Sequence, residues 1–381
     1  MQLRGVVIAV LVQPTVGSIS DYTTSRWGRR KPYIVIGSVL DVVFLLGIAT
    51  SQTYLSVAAF LVLLQLSSNF AQGPFQGYVP DLVPAPQVGL ASALVGMMSV
   101  LGVMAGTIVA AWGTAVGDFF WPTMTLGLIE LLTMLALFVR IDEGRAARDR
   151  AGRSWREVAL EAWGTDVLRE RSFLFLVGSR FFILGGSSLV VNLAARYMER
   201  SHGLASDERA TWYVLMVGLG ALATVLATIP AGRLSDRVGR KRVIYAACAF
   251  VVAGLVVVAV APAMPLALPG AALLGIGTGS FLAVDWALMT DIIPKASSGR
   301  YMGLSNVATA TNGVVATFAG GLIVDALFRA GSPDVGPRLA IASGVAWLAL
   351  GAALLRPVDE RRREDRMAPE GSAEEVVAAA S

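Results

Sequence analysis

Ionisable side chains stand at four positions deep inside long apolar runs of the sequence. Arg180 and Asp285 lie in two of these runs, and Asp41 and Glu130 lie in two others. A charge in such surroundings is costly unless it is paired, protonated or in contact with a water-filled cavity. A carboxyl group that takes up a proton can link proton movement to another event. We therefore regard these residues as proton-coupling candidates and rank Asp285 first, because Arg180 could hold it ionised. A purely structural role is the alternative for each.

Amide side chains form a second set of candidates. They follow the spacing i, i+4, i+7, i+11 along one apolar run and comprise Gln65, Asn69, Gln72 and Gln76. This spacing places them on one face of a helix. Amides both donate and accept hydrogen bonds, as sugar hydroxyls also do, so the strip predicts contacts with a neutral polar solute. Asn192 is a further candidate for substrate binding, and the Trp286 ring could stack on a sugar. Bonding between neighbouring helices is the alternative interpretation.

Composition excludes several other kinds of site. The chain has one histidine and one cysteine, so we expect no metal site and no disulfide framework. It has no phosphate-binding loop and no nucleophile elbow, which argues against a bound cofactor and against enzymatic activity. The glycines of Gly102–Gly106 and Gly275–Gly279 stand inside apolar helices, where close helix packing explains them best. Its basic residues fall in short loops between apolar runs, so nucleic acid is not an expected partner.

Two short loops carry the same charged pattern. The first copy contains Gly17, Asp21, Arg26, Gly28, Arg29 and Arg30, and the second contains Gly232, Asp236, Arg237, Gly239 and Arg240. Each loop separates two apolar runs, so the repeat indicates two homologous halves. A carboxylate at the end of one helix is stabilised by the positive end of another and by a nearby arginine. We expect Asp21 and Asp236 to bond to a neighbouring helix and to Arg29 or Arg240, latching the outward-facing conformation.

These loops resemble the signature of the major facilitator superfamily. The first copy follows Val12-Gln13-Pro14 and continues into Gly28-Arg-Arg-Lys-Pro32. It is similar to the sugar/cation symporter branch, of the sucrose symporter and glycoside-pentoside-hexuronide type, although Tyr22 stands where that branch has arginine. The resemblance implies an all-α membrane protein with the major facilitator fold, two pseudo-symmetric helical bundles and alternating access. It also implies sugar uptake coupled to protons or sodium.

The membrane-spanning elements can be located from hydropathy. The chain is 55% hydrophobic and only 15% charged, unlike a soluble protein. A membrane helix needs about 20 apolar residues. Eleven such spans are predicted, near residues 5–21, 33–50, 54–79, 88–113, 119–140, 172–198, 210–233, 242–262, 266–290, 301–328 and 337–356. The fold that the chain resembles has twelve, and only one span precedes the first motif. We therefore expect the first of the twelve helices to be missing from this sequence.

The spans suggest four regions. We expect an N-terminal bundle over 1–140, a cytoplasmic central loop with an amphipathic helix over 141–171, a six-helix bundle over 172–356 and a disordered cytoplasmic tail over 357–381. Arginine and lysine concentrate on the side of the motif loops, so the positive-inside rule places that side in the cytoplasm.

The function expected from these features is proton-coupled transport of a small polar solute, with sugars leading. We expect a monomeric, multi-pass protein in the lipid bilayer of the plasma membrane. Efflux of drugs or other amphiphiles is the first alternative and predicts a cavity lined by aromatic and methionine side chains. A receptor or lipid-handling relative that does not transport is the second, and it would have no coupling carboxylate.

Overall fold

The structure is a computed structural model that describes residues 2–143, 151–164, 167, 169–294 and 297–360. Residues 144–150 of the expected central loop and residues 361–381 of the expected tail lie outside the described residues. The described chain consists of helices and the segments that join them, without a β-strand. The all-α fold that the resemblance implies is therefore confirmed.

Fourteen α-helices follow one another along the described chain. In order they are α1 (Gln2–Asp21), α2 (Lys31–Thr50), α3 (Tyr54–Gln76), α4 (Tyr78–Leu82), α5 (Val88–Val116), α6 (Phe120–Arg140), α7 (Trp155–Glu161), α8 (Arg171–Arg196), α9 (Ser206–Val238), α10 (Arg240–Val260), α11 (Met264–Ile292), α12 (Ser298–Arg329), α13 (Val335–Ala342) and α14 (Gly344–Leu355).

Ten helical stretches in the described chain are long and apolar enough to cross a membrane. Two of them join neighbouring helices: α3 continues into α4 over Tyr54–Leu82, and α13 continues into α14 over Val335–Leu355. Helix α1 contributes a shorter apolar helix, Val7–Asp21. The eleven predicted spans therefore correspond to ten long spans and this shorter one.

Local sequence explains where several helices begin. Thr53 caps α3, because its side chain accepts from the backbone N–H of Ser56 while the Ser56 side chain accepts in return. Gly28 and Gly239, which precede α2 and α10, have φ values of +111° and +97°. Only glycine adopts such angles without strain, so the glycine of each motif copy allows the chain to turn sharply into the next helix.

The helices form two groups that meet along two seams. Helices α1, α2, α3, α5 and α6 pack among themselves, and helices α8 to α14 do the same. The groups contact each other through α1 against α12 and through α5 against α9 and α11. Both motif loops lie at the same end of these seams, which we call the motif end.

Close glycine contacts hold α9 against α11. A Cβ atom on Gly275 would overlap the backbone of Gly220, and one on Gly279 would overlap the backbone of Thr224. The packing predicted for these glycines is therefore present. Gly102 and Gly106 of α5 behave differently, because nothing described lies within 4 Å of a Cβ placed on either of them. The interpretation of that pair as a packing site within the fold is wrong, because no described residue lies close enough to either glycine to pack on it.

The same substitution should therefore have different effects at two glycines. Gly275→Ala forces α9 and α11 apart and should cost about 1–3 kcal/mol, as overpacking does. Gly102→Ala meets open space and should be neutral or stabilising by about 0.4–1 kcal/mol. Thermal unfolding of both purified variants in detergent measures the difference. Equal melting temperatures would contradict the assigned packing.

Candidate functional site

The carboxylate of Asp21 joins the two halves of the molecule. It accepts hydrogen bonds from the backbone N–H groups of Gly299 and Arg300, both at 3.2 Å, in the first turn of α12. These N–H groups have no partner within their own helix, and the helix dipole favours an anion there. The Asp21 side chain is only 1% exposed. The contact therefore closes the α1–α12 seam at the motif end.

Arg30 compensates the buried charge of Asp21. Its guanidinium lies 2.9 Å from Asp21 and 2.6 Å from Asp81, and it donates to Ser298 Oγ at 2.7 Å. Burial opposes the charge on Arg30, but Asp21 and then Asp81 outweigh it, so the pKa of the guanidinium is raised above its ordinary value. The expected partner, Arg29, instead pairs with Asp81 at 2.5 Å. The structure therefore places Arg30, and not Arg29, against Asp21.

The second motif copy repeats this arrangement at the other seam. Arg240 pairs with Asp236 at 2.6 Å and with Asp291 at 3.1 Å. Asp236 lies against the start of α5, because a Cβ on Gly89 would be 2.5 Å from its carboxylate oxygens. Its side chain is 24% exposed, so this contact is wetter than that of Asp21.

The remaining motif residues have other positions. Gly17 packs on Gly299, and Gly232 packs on Gly89, in each case so closely that a side chain would clash with backbone. Arg26 and Arg237 are exposed, and Arg26 lies over the ring of the neighbouring Trp27 at 5.1 Å. Three of the motif arginines, Arg29, Arg30 and Arg240, therefore contact the carboxylates. Arg26 and Arg237 lie outside the described ion-pair clusters.

Four carboxylates at the motif end were not predicted from the sequence. Asp81 and Asp291 are the second partners of Arg30 and Arg240. Glu143 accepts from the backbone N–H groups of Arg30 at 2.7 Å and Lys31 at 2.9 Å, and Glu360 accepts from that of Lys241 at 3.0 Å. The signal was present, because an Asp-Glu pair follows the last helix of each half, at 142–143 and 359–360. Each glutamate stabilises a helix N-terminus.

The described part of the central loop fastens both sides of the α1–α12 seam. Its helix α7 is short, and the side chain of Val158 is fully buried against α1. Ser18 of α1 donates to the carbonyl of Val158 at 3.0 Å, and Arg300 of α12 donates to the carbonyl of Gly164 at 3.1 Å. The loop therefore contacts the same two helices that Asp21 connects.

Arg180 and Asp285 meet inside the second half. Arg180 Nε lies 3.2 Å from Asp285 Oδ2, and both side chains are almost fully buried. The guanidinium also lies 5.3 Å from the Trp286 ring centre and donates to Ser305 Oγ at 3.4 Å. The two groups are not aligned for a hydrogen bond, and the Asp285 oxygens have no hydrogen-bond partner among the described residues. The carboxylate therefore retains capacity to accept a proton or a donor.

A cavity of about 460 Å³ lies between α8, α9, α11 and α12. Most of its lining is apolar, and the polar part consists of hydroxyl and amide groups, namely Ser187, Ser188, Asn192, Tyr213, Thr224, Thr278, Thr309 and Asn312. None of the described lining residues carries a charge. Arg180 is one helical turn from the lining residue Leu184, a rise of about 6 Å, and Asp285 is two turns from Thr278, about 10 Å. The ion pair thus lies below the cavity, towards the motif end.

The other predicted binding residues are only partly brought together. Asn69 and Gln76 are buried, whereas Gln65 and Gln72 are exposed, so the strip divides into two. None of the four lines the cavity. Asn192 does line it, and its amide donates to Thr317 at 2.8 Å.

Trp286 does not line the cavity either. It packs against a small apolar cluster that includes Val79 and Val88, and its Nε1 is buried without a hydrogen-bond partner in the described chain. Its ring instead lies against the Arg180 guanidinium, at 5.3 Å. Stacking on a solute would require the ring to move.

Asp41 and Glu130 lie away from this site. Their carboxyl groups contact each other between α2 and α6, and the hydroxyl of Ser67 donates to Asp41. Neither α2 nor α6 is among the helices that line the cavity. The structure thus pairs these two candidates with each other and separates them from Asp285.

A known protein family matches most of the chain. The family model described as "Major Facilitator Superfamily" matches residues 5–317 and, in a second match, residues 175–375. The sucrose transport protein SUT3 of Oryza sativa subsp. indica is 35% identical over 104 residues, which cover 22% of this chain and 21% of that protein. The match to two further curated relatives covers 18% of their length. The chain thus spans only about a fifth of the length of these relatives.

Two solved structures have the same fold at low sequence identity. The human organic anion transporter MFSD10 (TETRAN) has a TM-score of 0.70 and 15% identity, and the match covers 93% of this chain and 83% of that one. The fucose:proton symporter of E. coli has a TM-score of 0.67 and 13% identity, and the match covers 92% of this chain and 90% of that one.

The buried ion pair can be tested by a double-mutant cycle. Arg180→Met or Asp285→Leu alone leaves an uncompensated buried charge and should cost about 3–5 kcal/mol, whereas the double variant should be nearly neutral. Thermal unfolding in detergent measures all four proteins. Additive losses in the double variant would show that the two groups do not interact.

Proposed function

Because this chain belongs to the Major Facilitator Superfamily, a family of transporters, we propose that it is a secondary active transporter of a small polar solute. Sugars are the leading substrate class, and a proton is the leading coupling ion. The two halves, 1–140 and 172–356, rock around a central site and give alternating access. The protein is a multi-pass membrane protein, and we place it in the plasma membrane as a monomer with its motif end in the cytoplasm.

The observation that carries the proposal is the uncharged cavity beside the Arg180–Asp285 pair, whose mostly apolar lining carries several hydroxyl and amide groups. A volume of about 460 Å³ falls in the range of small-molecule pockets, about 300–1,000 Å³. Its hydroxyl and amide groups can both donate and accept, which suits a solute rich in hydroxyls. An organic anion would instead favour a cavity lined by cations, and the described lining contains none.

The sucrose transport protein and the fucose:proton symporter named above support the same substrate class. Efflux of amphiphiles predicts a cavity lined by aromatic and methionine side chains, whereas the described lining contains one of each, Tyr213 and Met216. A receptor or lipid-handling protein that does not transport would need no coupling carboxylate, and Asp285 is a candidate for one.

Asp285 is the proposed coupling residue. In the ionised state it neutralises Arg180, and on protonation that partner is lost. Protonation therefore alters the charge directly below the cavity, which links proton binding to solute binding. Asp41 and Glu130 become secondary candidates, because they contact each other instead of the cavity. Sodium is the alternative coupling ion.

The amide strip is proposed to serve the first half of the site. Gln65 and Gln72 are exposed on α3, and Gln65 Oε1 accepts a long hydrogen bond from Asn69 at 3.4 Å, whereas Asn69 itself bonds to Gln13 on α1. The motif residues are proposed to latch the state in which the halves meet at the motif end. Release of Asp21 and Asp236 from α12 and α5 would then accompany opening towards the cytoplasm.

Transport should depend on Asp285. In proteoliposomes that contain the full chain, a pH gradient with an alkaline lumen should drive accumulation of a labelled disaccharide. Asp285→Asn should abolish accumulation but retain exchange, because the neutral amide mimics the protonated carboxyl group. Accumulation by Asp285→Asn against the sugar gradient would contradict coupling at this residue. Competition by organic anions but not by sugars would contradict the substrate class.

Affinity should depend on the amides. Asn192→Ala and Gln72→Ala each remove one hydrogen bond to the solute and should raise the apparent KM about three- to tenfold. Asp325→Asn, an exposed change on α12, is the matched control and should leave KM unchanged. An unchanged KM in Asn192→Ala would place the solute elsewhere, and an unchanged KM in Gln72→Ala would remove the amide strip from the site.

The two latches should differ in strength. Asp21→Asn removes a buried charge that accepts two backbone hydrogen bonds, so it should shift the population of states about tenfold or more. Asp236 is partly exposed, so water can replace the hydrogen bonds that its carboxylate makes. Asp236→Asn should therefore shift the population of states less, in the same direction. Distances between spin labels at Thr24 and Arg171, measured by double electron–electron resonance, report the opening. A larger effect of Asp236→Asn would contradict this order.

A further inference from the structure

A buried amide pair joins the two halves away from the motif loops. The Gln13 side chain is only 4% exposed and is bonded at both ends. Its Nε2 donates to Asn69 Oδ1 on α3, and its Oε1 accepts from Asn306 Nδ2 on α12. Gln13 precedes Asp21 by eight residues, a rise of about 12 Å along α1. The amide contact is therefore a second connection across the α1–α12 seam, deeper in the bundle than the carboxylate contact.

The same turn of α12 also touches the buried ion pair. Ser305, the neighbour of Asn306, accepts from Arg180 Nη1 at 3.4 Å. Arg180 in turn lies 3.2 Å from Asp285. A continuous series of polar contacts thus leads from the carboxylate below the cavity, through one turn of α12, to Gln13 in the other half.

The other seam has the same packing without the amides. Thr228 precedes Gly232 by four residues, as Gln13 precedes Gly17, and Gly96 follows Gly89 by seven residues, as Asn306 follows Gly299. A Cβ on Gly96 would lie 3.7 Å from the Thr228 methyl group, so these two positions also face each other. Thr228 Oγ1, however, donates to the carbonyl of Thr224 in its own helix at 2.6 Å.

The two seams pack alike but differ in their hydrogen bonds. Both seams bring the same pair of positions into contact, so helix packing alone does not require an amide at either position. Only the α1–α12 seam uses a hydrogen bond between the halves at this depth in the described chain. It is also the seam whose helix α12 contacts Arg180.

We propose that Gln13 and Asn306 are positioning residues that transmit the state of the Arg180–Asp285 pair to the α1–α12 seam. The inference rests on the proposed function, since it assumes that Asp285 changes protonation during transport. When Asp285 is neutral, Arg180 loses its charged partner and its contact with Ser305 changes. The turn of α12 that carries Asn306 then shifts and releases Gln13, which loosens the seam. A neutral amide contact suits this role because it can break without leaving a buried charge unpaired.

The test measures transmission without transport. Spin labels at Thr24 and Arg171, on a Cys248→Ala background, report opening of the motif end in the full chain. Asp285→Asn, which mimics the protonated residue, should increase the open population at least threefold. In an Asn306→Leu background the same substitution should produce no further increase. Thr228→Val, the matched change in the other seam, should leave the response to Asp285→Asn intact.

Gln13→Met provides a second variant if Asn306→Leu does not fold, and it should block the response in the same way. A response to Asp285→Asn that persists in both backgrounds would overturn the proposal, because Asn306 and Gln13 would then be structural only. The proposal would also be overturned if Thr228→Val abolished the response to Asp285→Asn, or if Asp285→Asn produced no response in the parent protein. Failure of sugar uptake, measured separately, would overturn the proposed function and leave these distances interpretable.

Discussion

The contact of the Asp21 carboxylate with the first turn of α12 is the interaction on which the rest of the structure depends. It satisfies two backbone N–H groups that a helix cannot satisfy internally. It also requires a buried cation, which Arg30 supplies. Arg29 and Asp81 complete the cluster, so two positive and two negative groups share a largely buried space. Such a balanced cluster avoids the cost of an isolated buried charge.

This contact explains why small residues occupy the seams. For Asp21 to reach the N–H groups of α12, the backbones of α1 and α12 must approach closely, and Gly17 and Gly299 allow that approach. The same reasoning applies to Gly232 and Gly89 beside Asp236. Close backbones then leave room between them for only a few side chains. Along α1–α12 one of these is Gln13, which is why its amide is buried and bonded at both ends.

The two seams resemble each other in geometry and differ in chemistry. The α1–α12 seam has the more buried carboxylate, the amide contact and the central loop across its motif end. The α5–α9 seam has a carboxylate that is 24% exposed, and a threonine faces a glycine where the first seam has its amides. The α1–α12 seam is also the one whose helix α12 contacts Arg180, through Ser305.

The helices and the two motif carboxylates could be predicted from the sequence, because their sequence patterns are local or repeated. Apolar runs located the helices, and the duplicated loops identified the two carboxylates of the seams. The pairing of Arg180 with Asp285 was expected because a charge inside an apolar run is costly unless it is paired. Asp81 and Gln13 could not be assigned, because their partners are distant in sequence and only packing brings them together. The amide strip divided for a related reason: spacing fixes the face of a helix but not the neighbour that covers it.

Hydrogen–deuterium exchange at the start of α12 tests the central claim most directly. If Asp21 holds the N–H groups of Gly299 and Arg300, peptides that contain these residues should exchange slowly in the wild-type protein. Exchange there should become much faster in Asp21→Asn, while α10 within the second half stays protected. Exchange at the start of α12 that is fast in the wild type, or unchanged in the variant, would contradict the account.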